Sequence, residues 1–197
     1  MRKTITAVLA LLSAGVSAQD IAPKKYINHH RFEISLSAGT CVNNKITGDA
    51  WAIRNRRIHD GSIYSASLGV YFTKRMSAGV KLNSYKWNID NYFGRPGVTN
   101  AMSYSAFFNY DQPVRNSIFY GGVSVGRANA GYIKSETALN DGGQGMEFNA
   151  HVGYKLTLVR SRFWLFLEAG ATQSNIKGRA NYAVINYPLT AGLRFKI

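Results

Sequence analysis

Apolar and polar residues alternate with a period of two along eight stretches of this chain: Phe32–Gly39, Tyr64–Phe72, Ala78–Asn83, Met102–Tyr110, Phe119–Gly126, Glu147–Leu156, Phe163–Ala171 and Leu189–Ile197. That period is the mark of a strand whose two faces meet different surroundings. The 3.6-residue period of an amphipathic helix is absent after the N-terminal segment. The connections alternate in length. Long ones are expected at 40–63, 84–101, 127–146 and 172–188, rich in Asn, Gly, Asp and Arg. Short ones are expected at Thr73-Lys74-Arg75, at Asp111-Gln112-Pro113 and from Leu158 to Arg162.

The two faces differ sharply. One carries Phe32, Ile34, Leu36, Val80, Leu82, Val123, Val125, Leu165, Leu167, Leu193, Phe195, Ile197 and their equivalents. The other is built of Ser, Gly and Asn, with Glu33, Lys81, Glu147, Lys155, Glu168, Arg194, Lys196 and the imidazole of His151. No charge falls on the first face. Periodicity alone does not say which face points outward. A soluble up-and-down barrel turns the apolar face in; a membrane barrel inverts this, because lipid is its outer solvent and every backbone group must pair within a closed sheet. Three features favour inversion. Isolated charges among Ser and Gly suit a narrow packed lumen, and tight turns alternate with long connections. Aromatic residues also gather near strand ends, as interfacial girdles require: Tyr71, Phe72, Phe108, Tyr110, Phe119, Tyr154, Phe163 and Trp164 at the short-turn end, Tyr85 and Trp87 at the other. The expected fold is therefore all-β, an eight-stranded antiparallel up-and-down transmembrane barrel. Tyr71, Phe107, Tyr120, Trp164 and Phe166 would fill its interior together with the charges, leaving little room for a channel.

The ends of the chain sharpen this picture. Met1-Arg2-Lys3 followed by an apolar run to Val16 and by Val16-Ser17-Ala18 has the layout of a cleaved secretory signal over 1–18, with a short periplasmic segment at 19–31 and the barrel domain at 32–197. The surplus of 24 Lys and Arg over 10 Asp and Glu, +14, falls to +12 without Arg2 and Lys3. For an exported chain this basic surplus points to anionic membrane surfaces, and nucleic acid is not an expected partner. A single cysteine, Cys41, cannot form an internal disulfide. The last residues, Thr190 to Ile197, belong to the eighth alternating stretch, with the small and apolar positions Thr190, Gly192, Phe195 and Ile197.

On these features the chain resembles the small eight-stranded outer-membrane β-barrel proteins of Gram-negative bacteria. The Ser-Ala before Gln19 and the terminal Gly-Leu-Arg-Phe-Lys-Ile are similar to members from Bacteroidota. The resemblance implies termini in the periplasm and four long connections outside the cell. It also implies that Thr190, Gly192, Phe195 and Ile197 act as a C-terminal insertion signal, read by the barrel assembly machinery after escort by periplasmic chaperones. The family more often ends in Phe, so Ile197 departs mildly while staying apolar. Outer-membrane lipids, lipid A included, and subunits of a surface complex are the other partners implied.

Little in the sequence points to catalysis. Some barrels of this size are lipid A palmitoyltransferases or deacylases with a His–Ser–acid arrangement. Counting back from a turn at Val159-Arg160 pairs His151 with Glu168, half of such a triad, but no serine is evidently placed beside them. The expected role of His151, with Glu33, Lys81, Glu147, Lys155, Glu168, Arg194 and Lys196, is a lumen charge network, since enclosed charges persist when paired. No catalytic residue and no cofactor are expected. One cysteine and four scattered histidines give no metal-ligand spacing. Asp141-Gly142-Gly143-Gln144-Gly145 reads as a loop tip. The basic run Arg54, Arg56 and Arg57 beside Trp51 offers candidate contacts to lipid A phosphates. The expected function is thus a non-enzymatic membrane scaffold or binding protein acting through its external connections.

Overall fold

A computed structural model describes residues 32–48, 57–90, 96–114, 117–130, 143–159, 162–178 and 181–197. They form eight strands: β1 (Phe32–Gly48), β2 (Arg57–Tyr71), β3 (Met76–Asp90), β4 (Pro96–Val114), β5 (Ser117–Ala130), β6 (Gly143–Val159), β7 (Phe163–Gly178) and β8 (Tyr182–Lys196). Each pairs antiparallel with the next, and β8 closes on β1. The seam runs along both strands with one irregularity between Val42 and Lys45: Leu36 stands opposite Leu193, and Ile197 N donates to Phe32 O at 2.9 Å. No edge strand remains to be covered.

The inside of this barrel is its polar side. Leu36 is 63 % exposed and Val80 59 %, whereas Glu33 and Lys155 have no accessible surface. In the lower part of the strands most Val, Leu, Ile and Phe side chains turn outward, with Phe107, Ile118 and Phe166 as inward exceptions. A contiguous apolar surface around the whole barrel is stable only in hydrocarbon, so lipid is its solvent. The chain spans a membrane with strands.

At the short-turn end β2 and β3 are joined by a tight connection. Thr73 Oγ1 accepts from the amides of Arg75 at 3.2 Å and Met76 at 2.9 Å. The short connection expected at Asp111-Gln112-Pro113 is not there. β4 runs on to Val114, and Asp111 pairs with Tyr120. Asp111 keeps the phase of Phe107 and Asn109, so its carboxylate enters the lumen, where a turn residue would meet water.

The long connections are also shorter than the sequence suggests. β1 extends to Gly48, β3 to Asp90 and β7 to Gly178, well into stretches expected to be loops. Here the alternation changes sign and does not stop. On β3 the outward positions pass from Ala78, Val80 and Leu82 to Ser84, Lys86 and Asn88, while the inward ones pass from Ser77, Lys81 and Asn83 to Tyr85 and Trp87. The sheet has left the lipid, so outside is now water and the interior can be apolar. Cys41, Ile63, Tyr85, Trp87, Ala101 and Val184 form a buried cluster there, with Ile46, Ala130 and Tyr182 packed on it. Tyr85 and Trp87 therefore belong to an internal plug, with rings stacked at 5.2 Å, and not to an interfacial girdle. Tyr71 and Trp164 likewise point inward at the other end. The outward aromatics at that end are Phe32, Phe72, Phe108, Tyr110, Phe119 and Phe163.

Candidate functional site: a packed polar lumen

Three levels of side chains fill the barrel. The lowest lies at the short-turn end. Lys155 Nζ donates to both oxygens of Asp111, at 2.7 and 2.9 Å. The Tyr71 hydroxyl sits 2.9 Å from Glu33 Oε2 and 2.8 Å from Asp111 Oδ2, linking the two carboxylates through its one proton. Arg194 reaches Glu33 Oε1 at 3.1 Å from the last strand. Aromatic faces carry the rest of the cationic charge. Lys196 Nζ lies 4.3 Å above the Tyr71 ring and 5.1 Å from that of Trp164. The Arg194 guanidinium sits between Tyr120 and Phe166, 5.0 and 4.9 Å from their centroids. In a site removed from water such contacts are worth more than on a surface.

The middle level centres on Glu168. It accepts from Lys81 Nζ at 2.7 Å and from the Tyr120 hydroxyl at 2.9 Å, and His151 Nε2 stands 4.0 Å away. The hairpin register differs from the equal count. His151 is opposite Gly170 and Glu168 opposite Gly153, because the turn centre lies further along the chain and β6 is irregular between Thr157 and Val159. The offset is even, so both side chains keep the inward face. Gly153 leaves the space that the Tyr120 ring occupies, since a Cβ there would collide with the ring. A cavity sits beside this cluster, lined by Ser35, Ser67, Lys81, His151, Glu168 and Arg194 among others, and gives the centre of a water-sized sphere about 10 Å³. That holds one water molecule.

The upper level holds Glu147 apart from the other charges. Its oxygens accept from Ser103 at 2.6 Å, Ser174 at 2.9 Å and Tyr85 at 3.4 Å. Asn83 joins Ser65 and Ser103 to the same ring, at 2.7 and 3.0 Å. Above it stands the apolar plug.

His151 is not arranged as a base for a nucleophile. Its Nδ1 is 2.9 Å from the Asn149 amide oxygen and its Nε2 2.8 Å from that of Asn109. Among the described residues no serine hydroxyl is hydrogen-bonded to the ring. A general base must reach the proton it takes, and both nitrogens are already engaged with amides.

The structure brings Glu33, Lys81, His151, Lys155, Glu168, Arg194 and Lys196 into one linked region and sets Glu147 apart. The sequence pattern puts Asn109 on the polar face and Tyr71 in the interior without assigning either to the charge network, and takes Asp111 for a turn residue, although all three fall in phase with lumen positions on their strands. Arg54 and Arg56, and the side chain of Arg57, lie outside the described residues. In the last strand Thr190 is buried, Gly192 approaches the Leu36 carbonyl too closely for any Cβ, and the Phe195 ring packs on Phe163 at 4.7 Å.

Charge is sorted by face. Of the described carboxylate side chains, Glu33, Asp111, Glu147 and Glu168 point into the lumen and Asp60 is exposed. The exposed bases are Lys45, Lys74, Arg75, Lys86, Arg127, Arg162 and Lys177. Among the described residues the outer surface is thus cationic at both ends of the apolar belt.

No protein-family model matches the chain, and no curated protein is similar to it. Solved structures share its fold. Neisserial surface protein A matches with a TM-score of 0.59 at 19 % identity over 84 % of this chain and 97 % of its own. The outer membrane protein OprG of Pseudomonas aeruginosa matches with a TM-score of 0.53 at 10 % identity over 86 % and 98 %. This closed antiparallel barrel of eight strands has the fold of small outer-membrane β-barrels.

Proposed function

We propose that the protein is a non-enzymatic outer-membrane barrel, a rigid scaffold that presents its long connections outside the cell for binding, alone or within a surface assembly. The observation that carries this reading is the filled interior. The ion-pair layers around Glu33 and Glu168, the hydroxyl ring around Glu147 and the apolar plug follow one another up the barrel, and the cavity beside Glu168 has room for about one water. A barrel filled in this way, whose His151 ring is hydrogen-bonded to two amides and, among the described residues, to no serine, acts through its surface. The extension of the strands beyond the apolar belt supports this, because it gives the connections a stiff base above the lipid.

The competing reading is a lipid-modifying enzyme acting through His151, and one substitution separates the two. His151→Ala should leave the lipid A acyl pattern of cells unchanged by mass spectrometry while lowering the unfolding midpoint of the barrel. Loss of an acyl modification from cells that still hold a folded, heat-modifiable barrel would replace the scaffold with an enzyme. Planar-bilayer recordings supply the second arm: steady ionic conductance through the wild-type barrel would contradict the filled lumen.

A further inference from the structure

We infer that the outer wall of β3–β5, at the upper edge of the apolar belt, is a binding site for a bis-phosphorylated glycolipid of the outer leaflet. The inference rests on the orientation adopted above, with the long connections outside.

Three rungs of the sheet build the site. Lys86 on β3 pairs with Asn100 on β4; Met102 and Tyr104 of β4 pair with Asn129 and Arg127 of β5. All six side chains are exposed on the outer face, Met102 at 59 % and Tyr104 at 47 %. This is where lipid-facing residues give way to water-facing ones. Along β5 the outward series runs Val123, Val125, Arg127, Asn129, and along β4 it runs Ala106, Tyr104, Met102, Asn100. Acyl chains would lie along the apolar side chains below, and head groups would meet the polar ones above.

The charge pattern selects the head group. Lys86 and Arg127 flank β4 two strands apart and four residues apart along it, roughly 16 Å between their Cα atoms from the ordinary spacings of a sheet. Long side chains can close part of that distance toward two phosphates carried at opposite ends of one disaccharide. Arg offers a bidentate fork to phosphate oxygens, Lys a point charge, and the amides of Asn100 and Asn129 give further donors between them. The exposed carboxylate nearest in the described outer face is Asp60, on β2 beyond Ser62, the residue paired with Lys86. The β4–β5 half of the site faces no described carboxylate. A membrane phospholipid with one phosphate would satisfy one cation and leave the other unused.

Native mass spectrometry of the purified full-length barrel tests this, with bis-phosphoryl lipid A, its monophosphoryl derivative and phosphatidylglycerol as probes. The wild-type barrel should retain the bis-phosphoryl lipid preferentially. Lys86→Ala with Arg127→Ala should lower retention at least fivefold, and Lys45→Ala with Lys177→Ala should leave it within twofold. Removing one phosphate should cost most of the preference, and millimolar inorganic phosphate should not displace the lipid. Equal retention by the Lys86/Arg127 variant, equal retention of phosphatidylglycerol, or displacement by free phosphate would each overturn the site. Heat-modifiable mobility checks that the variant is folded, and the glutamine pair Lys86→Gln with Arg127→Gln serves if it is not. A failure here in a non-conducting barrel leaves the scaffold reading standing, whereas a conducting barrel would remove that reading whatever lipid is bound.

Discussion

Each carboxylate in the lower and middle lumen has a cation within hydrogen-bonding distance, and this decides what single substitutions do. Glu33 holds Arg194 and receives Tyr71; Glu168 holds Lys81 and receives Tyr120. Removing one partner of an enclosed pair leaves the other charge without compensation, at a cost on the order of 3–5 kcal/mol. Glu168→Ala and Glu33→Ala should both lower the urea midpoint in lipid vesicles by that order. Lys177→Ala on the water-facing surface should stay within about 0.5 kcal/mol. Equal midpoints for Glu168→Ala and Lys177→Ala would remove Glu168 from the lumen. A double-mutant cycle on Glu33 and Arg194 should show strong coupling, the pair losing much less than the sum of the singles. Additivity there would mean that the 3.1 Å contact contributes nothing. Gly153 is the complementary case. Its lack of a side chain lets the Tyr120 ring lie over β6 and reach Glu168 on the next strand, so Gly153→Val should disturb the same network without touching a charge.

Within the lipid the strands were legible in the sequence, because hydrocarbon outside and a polar interior impose one phase of alternation on every strand. Beyond the lipid the phase inverts, and a reader following apolar outward positions loses the strand where it leaves the membrane. Tyr85 and Trp87 show the difficulty: aromatic residues near a strand end suggest a girdle, yet they sit on the inward phase set by Lys81 and Asn83. Asp111 shows another. Next to Gln112-Pro113 it has the composition of a turn, and only its phase with Phe107 and Asn109 reveals a lumen residue. The His151–Glu168 relation was legible as to face but not as to rung, since equal counting needs the turn centre and an unbulged strand. The candidate site was legible as a set of inward charges, while its partners across the barrel depend on register that sequence does not carry. The plug has a testable weight. Trp87 is 3 % exposed and stacked on Tyr85, so Trp87→Ala should destabilise by about 3–5 kcal/mol as a core aromatic truncation. The exposed neighbour Lys86→Ala should not. If both variants unfold at the wild-type midpoint, the upper barrel has no apolar core.

The molecule as a whole is closed by its first and last strands. Fourteen β1–β8 pairs run from Glu33–Lys196 to Gly48–Tyr182, and Phe195 packs across to Phe163. Deleting Phe195 to Ile197 removes part of that closure together with the proposed insertion signal. The expected result is a sharp fall in heat-modifiable barrel in the outer membrane, and wild-type levels would refute the role given to the last strand. The central claim is that one face of this barrel meets lipid and the other is sealed from both lipid and water. Spin labels placed one at a time from Phe163 to Lys177, in a Cys41→Ala background and in lipid vesicles, test it most directly. Collision with oxygen, which concentrates in lipid, should peak at Phe163, Leu165, Leu167, Ala169 and Ala171. Collision with a water-soluble nickel complex should take over at Gln173, Asn175 and Lys177. The positions between, Trp164, Phe166, Glu168, Thr172, Ser174 and Ile176, should be shielded from both. High oxygen accessibility at Glu168 and Phe166, with Leu165 and Leu167 shielded, would turn the barrel inside out and contradict the account.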